Sequence, residues 1–278
     1  MKLSASIVLY NTKIEDLKRV IDSYFAYTGE KQLFLVDNSP TDKLKDIVEM
    51  YPNNDYIYYI FNNENMGYGK AHNIAIKKSI EQELPYHIIL NPDIIIGEGT
   101  LEKLTSYMKQ HPEIGNIMPK IIYPNGELQY LCKLLPSPFD LIFRRFIPFN
   151  KWKEAINKRY ELHAFGYNQI MNIPNLSGCF MFLRTEALKQ VGLFDENIFM
   201  YLEDIDLNRR IHSKYKTIYY PDATVIHEHQ KESYKNKKLL KAHIQSAIYY
   251  FNKYGWFFDR ERIFINKKTL NNIFIKNT

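Results

Sequence analysis

Residues 3–39 read LSASIVLYNTKIEDLKRVIDSYFAYTGEKQLFLVDNS, and this stretch predicts a strand, a helix and a second strand. Leu3–Leu9 is an apolar run long enough for a buried strand. Apolar residues then recur at helical spacing over Ile14–Tyr27. Gln32–Val36 is a second short apolar run. A helix of this length between two buried strands is typical of a βαβ unit, in which the strands are parallel.

The same alternation continues along most of the chain. Further helices are predicted over Lys43–Met50, Gly69–Glu83, Leu101–Gln110, Glu186–Val191, Asp204–Tyr215 and Asn236–Tyr254. Further strands are predicted over Ile57–Phe61, His87–Leu90, Cys179–Leu183, Thr217–Tyr220 and Thr224–Ile226. Residues 123–172 are less regular and rich in proline, and we interpret them as an excursion over the site. The pattern predicts an α/β protein with a Rossmann-like, mostly parallel sheet flanked by helices.

Polar residues follow the predicted strands, at the sheet edge where such folds bind ligands. The first strand ends in Tyr10-Asn11 and the second in Asp37-Asn38. Asp37 could accept hydrogen bonds from a base or a ribose hydroxyl. It could equally cap the helix that follows Pro40.

The segment Asn65–Asn73 precedes and opens a predicted helix. Gly67 allows a close approach of the backbone to a ligand, and Lys70 with the free N–H groups of a helix start favours an anion. A simple glycine turn is the alternative.

Asn91-Pro92-Asp93 follows another buried strand. Asp93 could offer a carboxylate to Mg²⁺ or Mn²⁺, although an Asn-Pro-Asp turn is a common local structure. His227 and His229 share one face of an extended segment, and either could reach the same metal or a diphosphate. A solvated or core histidine is the alternative for at least one of them.

Three carboxylates begin the predicted helix after Met200, namely Glu203, Asp204 and Asp206. Acidic residues are common in a first helical turn because of the helix dipole. One of them could also act as a general base on an acceptor hydroxyl. We assign that role to Asp204, keep Glu203 in reserve, and expect Asp206 to cap the helix or to pair with Arg209 or Arg210.

The overall composition limits the classes of protein. Only two cysteines are present, Cys132 and Cys179, which indicates a reducing compartment, and no apolar stretch is long enough to span a bilayer. Residues 231–278 hold eleven Lys and Arg against three Asp and Glu, while the whole chain has a net charge of +6. This basic segment also contains many aromatic residues. It could be a solvated helix and tail or could contact anionic lipids, and no nucleic-acid-reading motif accompanies it.

Together these motifs resemble family 2 of the glycosyltransferases, most closely the bacterial rhamnosyltransferase-like enzymes of polysaccharide assembly such as those for O-antigen and capsule. The resemblance is carried by the motifs above, by Ser177–Cys179, and most specifically by Gly192–Glu196 with Tyr201–Asp206. It implies a GT-A fold and an inverting sugar transfer in the cytoplasm, with a peripheral position at the inner membrane left open. The family's metal motif, Asp-any-Asp, begins here with Asn91, which leaves a single carboxylate.

The resemblance also implies roles for individual residues and partners. Tyr10, Asn11, Asp37 and Asn38 would line the base and ribose pocket; Asn65, Gly67, Lys70, Asn73 and Asn91 would flank the nucleotide; Asp93 and a histidine would hold Mg²⁺ or Mn²⁺. The expected donor is dTDP-L-rhamnose, with UDP-hexoses or UDP-galactofuranose as alternatives. The acceptor would be a saccharide or a lipid-linked saccharide. We divide the chain into a catalytic domain over 1–230, with halves at about 1–122 and 123–230, and a basic, aromatic helical extension over 231–278.

Two other classes of protein remain to be distinguished. A sugar nucleotidyltransferase has a similar sheet but needs a glycine-rich, arginine-containing loop after the first strand, and Tyr10–Lys13 is not such a loop. A saccharide-binding or partner-binding module would not need Asp93, Asp204 or a metal.

Overall fold

The computed structural model describes residues 2–51, 55–141, 150–228 and 237–276. The strands in these residues are β1 Leu3–Leu9, β2 Lys31–Asp37, β3 Ile57–Phe61, β4 Tyr86–Leu90, β5 Ile94–Ile96, β6 Ile114–Ile122, β7 Cys132–Lys133, β8 Met171–Asn172, β9 Asn175–Leu176, β10 Phe180–Arg184 and β11 Lys216–His227. The helices are α1 Ile14–Phe25, α2 Tyr68–Glu81, α3 Thr100–Gln110, α4 Pro138–Leu141, α5 Asn150–Tyr160, α6 Thr185–Val191, α7 Glu203–His212, α8 Lys237–Tyr254 and α9 Arg260–Lys276. Short 3-10 helices cover Lys45–Met50 and His163–Phe165.

One large mixed sheet organises the molecule, in the order β3-β2-β1-β4-β10-β6-β11-β5, with β8 paired to β11. Strands β1 to β4 are mutually parallel where they pair, and β6 and β11 are also parallel. Strand β10 is antiparallel to both of its neighbours, β4 and β6. Strands β7 and β9 form a separate pair. The predicted α/β architecture, a mostly parallel sheet flanked by helices, is therefore confirmed.

The first helix shows why these residues form the predicted layers. Its residues Leu17, Val20, Ile21 and Tyr24 are buried, and they recur at the spacing of a single helical face. The hydroxyl of Tyr24 donates a hydrogen bond to the carbonyl of Gln32 at 3.0 Å, which ties α1 to β2.

A polar cluster lies beneath the sheet between β1, β4 and α2. The ring nitrogens of His87 lie 2.8 Å from the hydroxyls of Ser4 and Ser6, and Ser6 also lies 2.7 Å from His72 Nδ1. Burial lowers the pKa of His87 to about 3 and holds the pKa of His72 well below its ordinary value. Both rings are therefore neutral at pH 7 and position α2, which carries the glycine segment.

Several sequence predictions need correction. Lys45–Met50 is a 3-10 helix where an α-helix over Lys43–Met50 was predicted. The two strands predicted over 217–226 are one strand, β11, interrupted by a register shift between Tyr220 and Thr224. Strands β5 and β6 were not predicted, although β6 joins β10 to β11.

The two C-terminal helices pack onto the start of α7. Ala247, Tyr250 and Phe251 of α8 and Ile265 of α9 share an apolar cluster with Leu202 and Ile205 at the start of α7. The inner faces of this extension are buried, so it is more than a solvated tail. Among the described helices, none combines the length and the apolar character needed to cross a bilayer.

Candidate functional site

The carboxyl ends of β1, β2 and β4 lie at the same sheet edge because these strands are parallel neighbours. Tyr10 and Asn11 follow β1 there, and Tyr10 is exposed. The backbone N–H of Asn11 donates to the Ser39 hydroxyl at 2.9 Å. The structure therefore brings the first two predicted binding segments together.

Asp37 is buried at the end of β2, and both of its carboxylate oxygens accept hydrogen bonds. The backbone N–H of Ser39 donates to Oδ1 at 2.8 Å, and the Tyr59 hydroxyl donates to Oδ2 at 2.6 Å. These contacts hold the loop that follows β2 in place. A contact from Asp37 to a base or ribose remains a prediction.

The loop before α2 is held close to the sheet edge. Asn38 Nδ2 donates to the carbonyl of Gly67 at 3.1 Å, and the N–H of Gly67 donates to Asn65 Oδ1 at 3.2 Å. Gly67 has a φ of 89°, and a Cβ at this position would lie 2.3 Å from the carbonyl oxygen of Phe199. Glycine is therefore required here both by the backbone conformation and by the approach of the Phe199 segment.

Lys70 and Asn73 have different environments on α2. Lys70 is exposed in the first turn, where a cation can meet a bound anion. Asn73 is buried, and its amide exchanges hydrogen bonds with the backbone of Phe194 at 2.9 and 3.0 Å and donates to Glu196 at 3.1 Å. Asn73 therefore connects α2 to the Gly192–Glu196 segment; its predicted place beside the nucleotide is not tested by these contacts.

Tyr68 links the two strand-end motifs, and its role was not anticipated although it lies inside the glycine segment. Its hydroxyl lies 2.9 Å from Asn91 Oδ1 and 2.9 Å from the carbonyl oxygen of Gly178. The backbone N–H of Asn91 donates to the carbonyl of Cys179 at 2.9 Å. Asn91, in the first position of the metal motif, is thus held by α2 on one side and by the Ser177–Cys179 segment on the other.

Asp93 immediately precedes β5, and His227 is the last residue of β11, the antiparallel neighbour of β5. The distance from His227 Nε2 to Asp93 Oδ1 is 3.4 Å. His227 Nδ1 lies 2.9 Å from Gln129 Oε1, and Gln129 Nε2 donates to the carbonyl of His227 at 2.8 Å. With the Nδ1 proton directed at Gln129, Nε2 is oriented towards Asp93. Gln129, from the irregular middle of the chain, was not among the predicted site residues.

A carboxylate next to an imidazole oriented by a second amide is a donor set that suits a divalent cation. Burial disfavours a proton on His227, but the adjacent Cys179 and Asp93 raise its pKa to about 10. A cation would therefore compete with a proton for Nε2. The described residues contain no group of three His, Cys, Asp or Glu side chains arranged to hold a metal ion. His229 lies outside the described residues.

Asp204 lies at the start of α7, beneath the Ser177–Cys179 segment. Its Oδ2 accepts the backbone N–H of Gly178 at 2.8 Å, and its Oδ1 accepts the N–H of Ile205 at 2.8 Å. A Cβ on Gly178 would lie 3.0 Å from the Cβ of Asp204, so the glycine permits this approach. The preceding residues Tyr201 and Leu202 both have positive φ, which turns the chain sharply into the helix.

Glu203 is buried beside Asp204, and its Oε2 has no hydrogen-bond partner among the residues that the structure describes. Burial and the neighbouring Asp204 raise the pKa of Glu203 to about 8. Burial also raises the pKa of Asp204, while the N–H groups of Gly178 and Ile205 and the charge of Lys133 oppose the rise. Two adjacent carboxyls with raised pKa values form a setting suited to proton transfer.

Asp93 and Asp204 are thus connected through one short segment. Cys179 binds the backbone of Asn91, two residues before Asp93, while Gly178 binds Asp204 directly. That these two acids act in one site remains a prediction. Asp206 is turned away from the site and pairs with Arg210 at 2.6 Å and with Lys253 at 2.7 Å, as expected for Arg210.

A cavity of about 520 Å³ lies elsewhere, between the α5 region and α9. It is lined by Lys158, Arg159, His163, Ala164, Phe165 and Leu270. It includes none of the predicted site residues.

The chain is similar in sequence to two rhamnosyltransferases. The chain is 30% identical over 215 residues to an N-acetylglucosaminyl-diphospho-decaprenol L-rhamnosyltransferase of Mycobacterium tuberculosis, a match that covers 70% of this chain and 66% of that protein. It is 26% identical over 253 residues to the rhamnosyltransferase WbbL of Escherichia coli K12, covering 88% of this chain and 91% of that one. The chain thus spans slightly less than two thirds of the mycobacterial relative.

Solved structures share the fold at low sequence identity. Staphylococcus aureus TarS 1-349 in complex with UDP-GlcNAc superposes with a TM-score of 0.60 at 17% identity, covering 99% of this chain and 73% of that one. The mannosyltransferase PcManGT of Pyrobaculum calidifontis, in complex with GDP-Man and Mn²⁺, gives 0.58 at 13% identity, covering 98% and 75%. The expected GT-A fold is therefore confirmed.

The family model that matches the chain spans residues 4–192, from β1 through the Ser177–Cys179 segment to the end of α6. It includes Asp93 and the glycine segment, while α7 with Asp204 follows it. The resemblance found in the sequence motifs is confirmed: the chain belongs to glycosyl transferase family 2.

Proposed function

We propose that this chain transfers a sugar, with inversion at the anomeric carbon, from a nucleotide-diphosphate donor to a saccharide or lipid-linked saccharide acceptor. One observation carries the proposal. The Asp204 carboxylate and the Asp93–His227 pair are joined through Ser177–Cys179 at the edge where parallel strands end. Such an edge is where α/β folds bind nucleotides.

The donor would bind over the ends of β1, β2 and β4. The backbone around Gly67 approaches this edge closely, and the first turn of α2 offers its free N–H groups and Lys70 to a diphosphate. Tyr10, Asn11 and Asn38 would line the base and ribose side of the same pocket.

Asp93 and His227 would be the protein ligands of a divalent cation, because a carboxylate and an imidazole suit such an ion. Bound there, Mg²⁺ or Mn²⁺ would neutralise charge that develops on the leaving nucleotide diphosphate. Gln129 would keep Nε2 of His227 directed at the cation, because Gln129 Oε1 accepts a hydrogen bond from Nδ1–H.

Asp204 would act as the general base. The acceptor hydroxyl attacks the anomeric carbon, its proton passes to Asp204, the new C–O bond forms, and the bond to the diphosphate oxygen breaks. The backbone N–H groups of Gly178 and Ile205 fix the carboxylate for this transfer, and burial raises its pKa towards a range useful for accepting a proton.

The donor we favour is dTDP-L-rhamnose, with a UDP-hexose or UDP-galactofuranose as the alternative. Two relatives are named as rhamnosyltransferases, and the name of one includes a decaprenol-linked acceptor. We therefore propose a role in bacterial surface polysaccharide synthesis, in the cytoplasm and at the inner face of the membrane.

The test is a transfer assay with a panel of sugar nucleotides and with Mg²⁺ or Mn²⁺, in which nucleotide diphosphate release is followed with and without acceptor. Asp204→Asn is expected to lower kcat by about a thousandfold, because it removes the proton acceptor. Donor binding by this variant, measured by calorimetry, should stay close to that of the wild type. Full transfer by Asp204→Asn would refute the assigned base.

The same assay separates the rival classes. Release of pyrophosphate in place of nucleotide diphosphate would identify a nucleotidyltransferase. Saccharide binding without any turnover, unaffected by Asp93→Asn or by chelation of metal, would identify a binding module.

A further inference from the structure

Large apolar side chains are exposed on the turn between α8 and α9 and on the first turns of α9. Phe258 is 94% exposed and Phe257 67%, and on the adjoining helix Phe264 is 66% and Ile263 58% exposed. We call these four residues the aromatic patch. Contiguous exposed apolar surface of this kind marks an interaction site more often than scattered single residues do.

The opposite face of the same helix is firmly held. Asp259 accepts two hydrogen bonds from the buried Arg209 of α7, at 2.6 and 2.7 Å, and caps α9 through the N–H of Arg262 at 2.9 Å. The side-chain amide of Asn266 exchanges two hydrogen bonds with the backbone of Leu135, both at 2.9 Å. The aromatic patch is therefore presented by a helix that is anchored on its other face.

The charges around the patch are basic. Arg260, Ile263, Phe264 and Lys267 follow helical i, i+3, i+4, i+7 spacing and share one face, with Lys268 beside them. The two acids near the patch, Asp259 and Glu261, are both paired with Arg209, at 2.6 and 2.7 Å. Aromatic side chains interleaved with unopposed Arg and Lys are the composition of a helix that lies in the headgroup region of an anionic bilayer.

We infer that the aromatic patch docks this protein onto an anionic lipid bilayer, with Phe257 and Phe258 entering the interface and Arg260, Lys267 and Lys268 meeting lipid phosphates. The inference rests on the proposed function, because that function explains why contact between the aromatic patch and a bilayer would be useful. Helix α7 carries Asp204 at its start and Arg209 five residues later, so the Arg209–Asp259 pair connects the proposed base rigidly to the docking helix. A lipid-linked acceptor would then arrive from a surface at a fixed position relative to that base.

Vesicle co-sedimentation tests the docking without any substrate. The full chain is mixed with phosphatidylcholine vesicles that either contain or lack phosphatidylglycerol, and the bound fraction is measured at low and high salt. We expect binding to the anionic vesicles only and weaker binding at high salt. Phe257→Ser/Phe258→Ser should lower the partition coefficient by at least about tenfold, and Arg260→Gln/Lys267→Gln/Lys268→Gln should abolish the preference for anionic lipid.

Tyr56→Ser/Tyr58→Ser, which changes two exposed aromatic residues on another part of the surface, serves as the matched control and should bind as the wild type does. Unchanged thermal unfolding of each variant confirms that its fold is intact. Wild-type vesicle binding by the Phe257/Phe258 variant would overturn the inference. So would a wild-type dimer that becomes monomeric in this variant while vesicle binding is unaffected, because the patch would then be a contact between two copies of the chain. Sugar transfer to a soluble acceptor, followed by nucleotide diphosphate release, should be the same for all these variants. This measurement separates failure of the docking from failure of the proposed function.

Discussion

At the scale of single residues, the adjacent carboxyls Glu203 and Asp204 differ in what their surroundings provide. Asp204 accepts two backbone hydrogen bonds, whereas Oε2 of the buried Glu203 accepts none. Hydrogen bonds from N–H groups favour the ionised form, and burial without them favours the neutral form. Asp204 is thereby the carboxyl better prepared to be an anion at neutral pH, and Glu203 the one prepared to hold a proton.

This difference predicts the behaviour of Glu203→Gln. Glutamine imitates a protonated glutamic acid, so transfer at pH 7 should fall by no more than about threefold, far less than in Asp204→Asn. If Glu203→Gln abolished transfer while Asp204→Asn retained it, the roles of the two acids would be exchanged. The measurement is nucleotide diphosphate release at saturating donor and acceptor.

The difference in stability between this variant and the wild type should depend on pH. Glu203 has a folded-state pKa of about 8, above the 4.5 of an unperturbed glutamate, so the folded state holds the proton more tightly than the unfolded state. Between these two pKa values the unfolded state binds fewer protons than the folded state, so the stability of the wild type falls as pH rises. The fall is at most about 1.4 kcal/mol for each pH unit in this range. The Tm of Glu203→Gln minus that of the wild type should increase from pH 5 to pH 8. A difference independent of pH would show that Glu203 is ionised in the folded protein.

The sequence pointed to individual site residues where local pattern and chemistry coincide. Asp93 follows a buried strand and Asp204 opens a helix, and both positions can be recognised within a few residues of chain. Gln129 could not be found in this way, because its partner His227 is 98 residues distant and neither has a local signal for the contact. Tyr68 lay inside a recognised motif, but its contact to Gly178 spans 110 residues.

At the scale of elements, the glycine loop before α2 predicts a steric effect that can be separated from backbone strain. Gly67 and Gly126 have nearly equal positive φ, 89° and 84°, but only Gly67 faces a neighbouring backbone atom within 4 Å. Gly126→Ala should cost about 1 kcal/mol of unfolding free energy from backbone conformation alone. Gly67→Ala should cost about 3 kcal/mol or more, because the Phe199 segment must also move, and nucleotide binding should weaken with it. Urea unfolding measures the two costs, and equal values would show that the Phe199 contact gives way easily.

Element prediction succeeded where periodicity was regular. Strand β1 matches its predicted bounds, and α1, α2 and α3 differ from theirs by one or two residues. Strand β6 was missed because Gly115, Asn116 and Pro119 interrupt its apolar pattern. The buried Asn116 donates a hydrogen bond from Nδ2 to Asn208 Oδ1, a partner that only tertiary structure supplies. The bulge in β11 made one strand resemble two.

At the scale of the whole molecule, the C-terminal helices are attached by an ion pair that the sequence did not reveal. Arg209 was considered as a partner for Asp206, four residues or fewer away, yet it pairs with Asp259 fifty residues on. The uneven charge of the chain marked the C-terminal segment as distinct, but gave no sign of what its inner face would contact. A buried pair between distant elements depends on how those elements dock, which no local pattern encodes.

The Arg209–Asp259 pair leads to a prediction about cooperativity. Both side chains are 2% exposed, and removing the Asp259 carboxylate leaves the buried guanidinium of Arg209 with contacts to Glu261, the Tyr250 hydroxyl and the Tyr254 ring. Asp259→Ala should therefore lower the free energy of unfolding by about 3–5 kcal/mol. Asp259→Asn, which keeps an oxygen for the N–H of Arg262, should lose less, and the difference between the two variants measures the helix cap. Glu154→Ala, which breaks the exposed pair with Lys158, is the control and should leave Tm unchanged within error.

Hydrogen exchange in Asp259→Ala should accelerate in α9 and also at the start of α7, since both share an apolar cluster. If exchange in α7 stayed at the wild-type rate while exchange in α9 accelerated, the C-terminal extension would unfold independently of α7. The docking helix and Asp204 would then be connected only while the extension is folded.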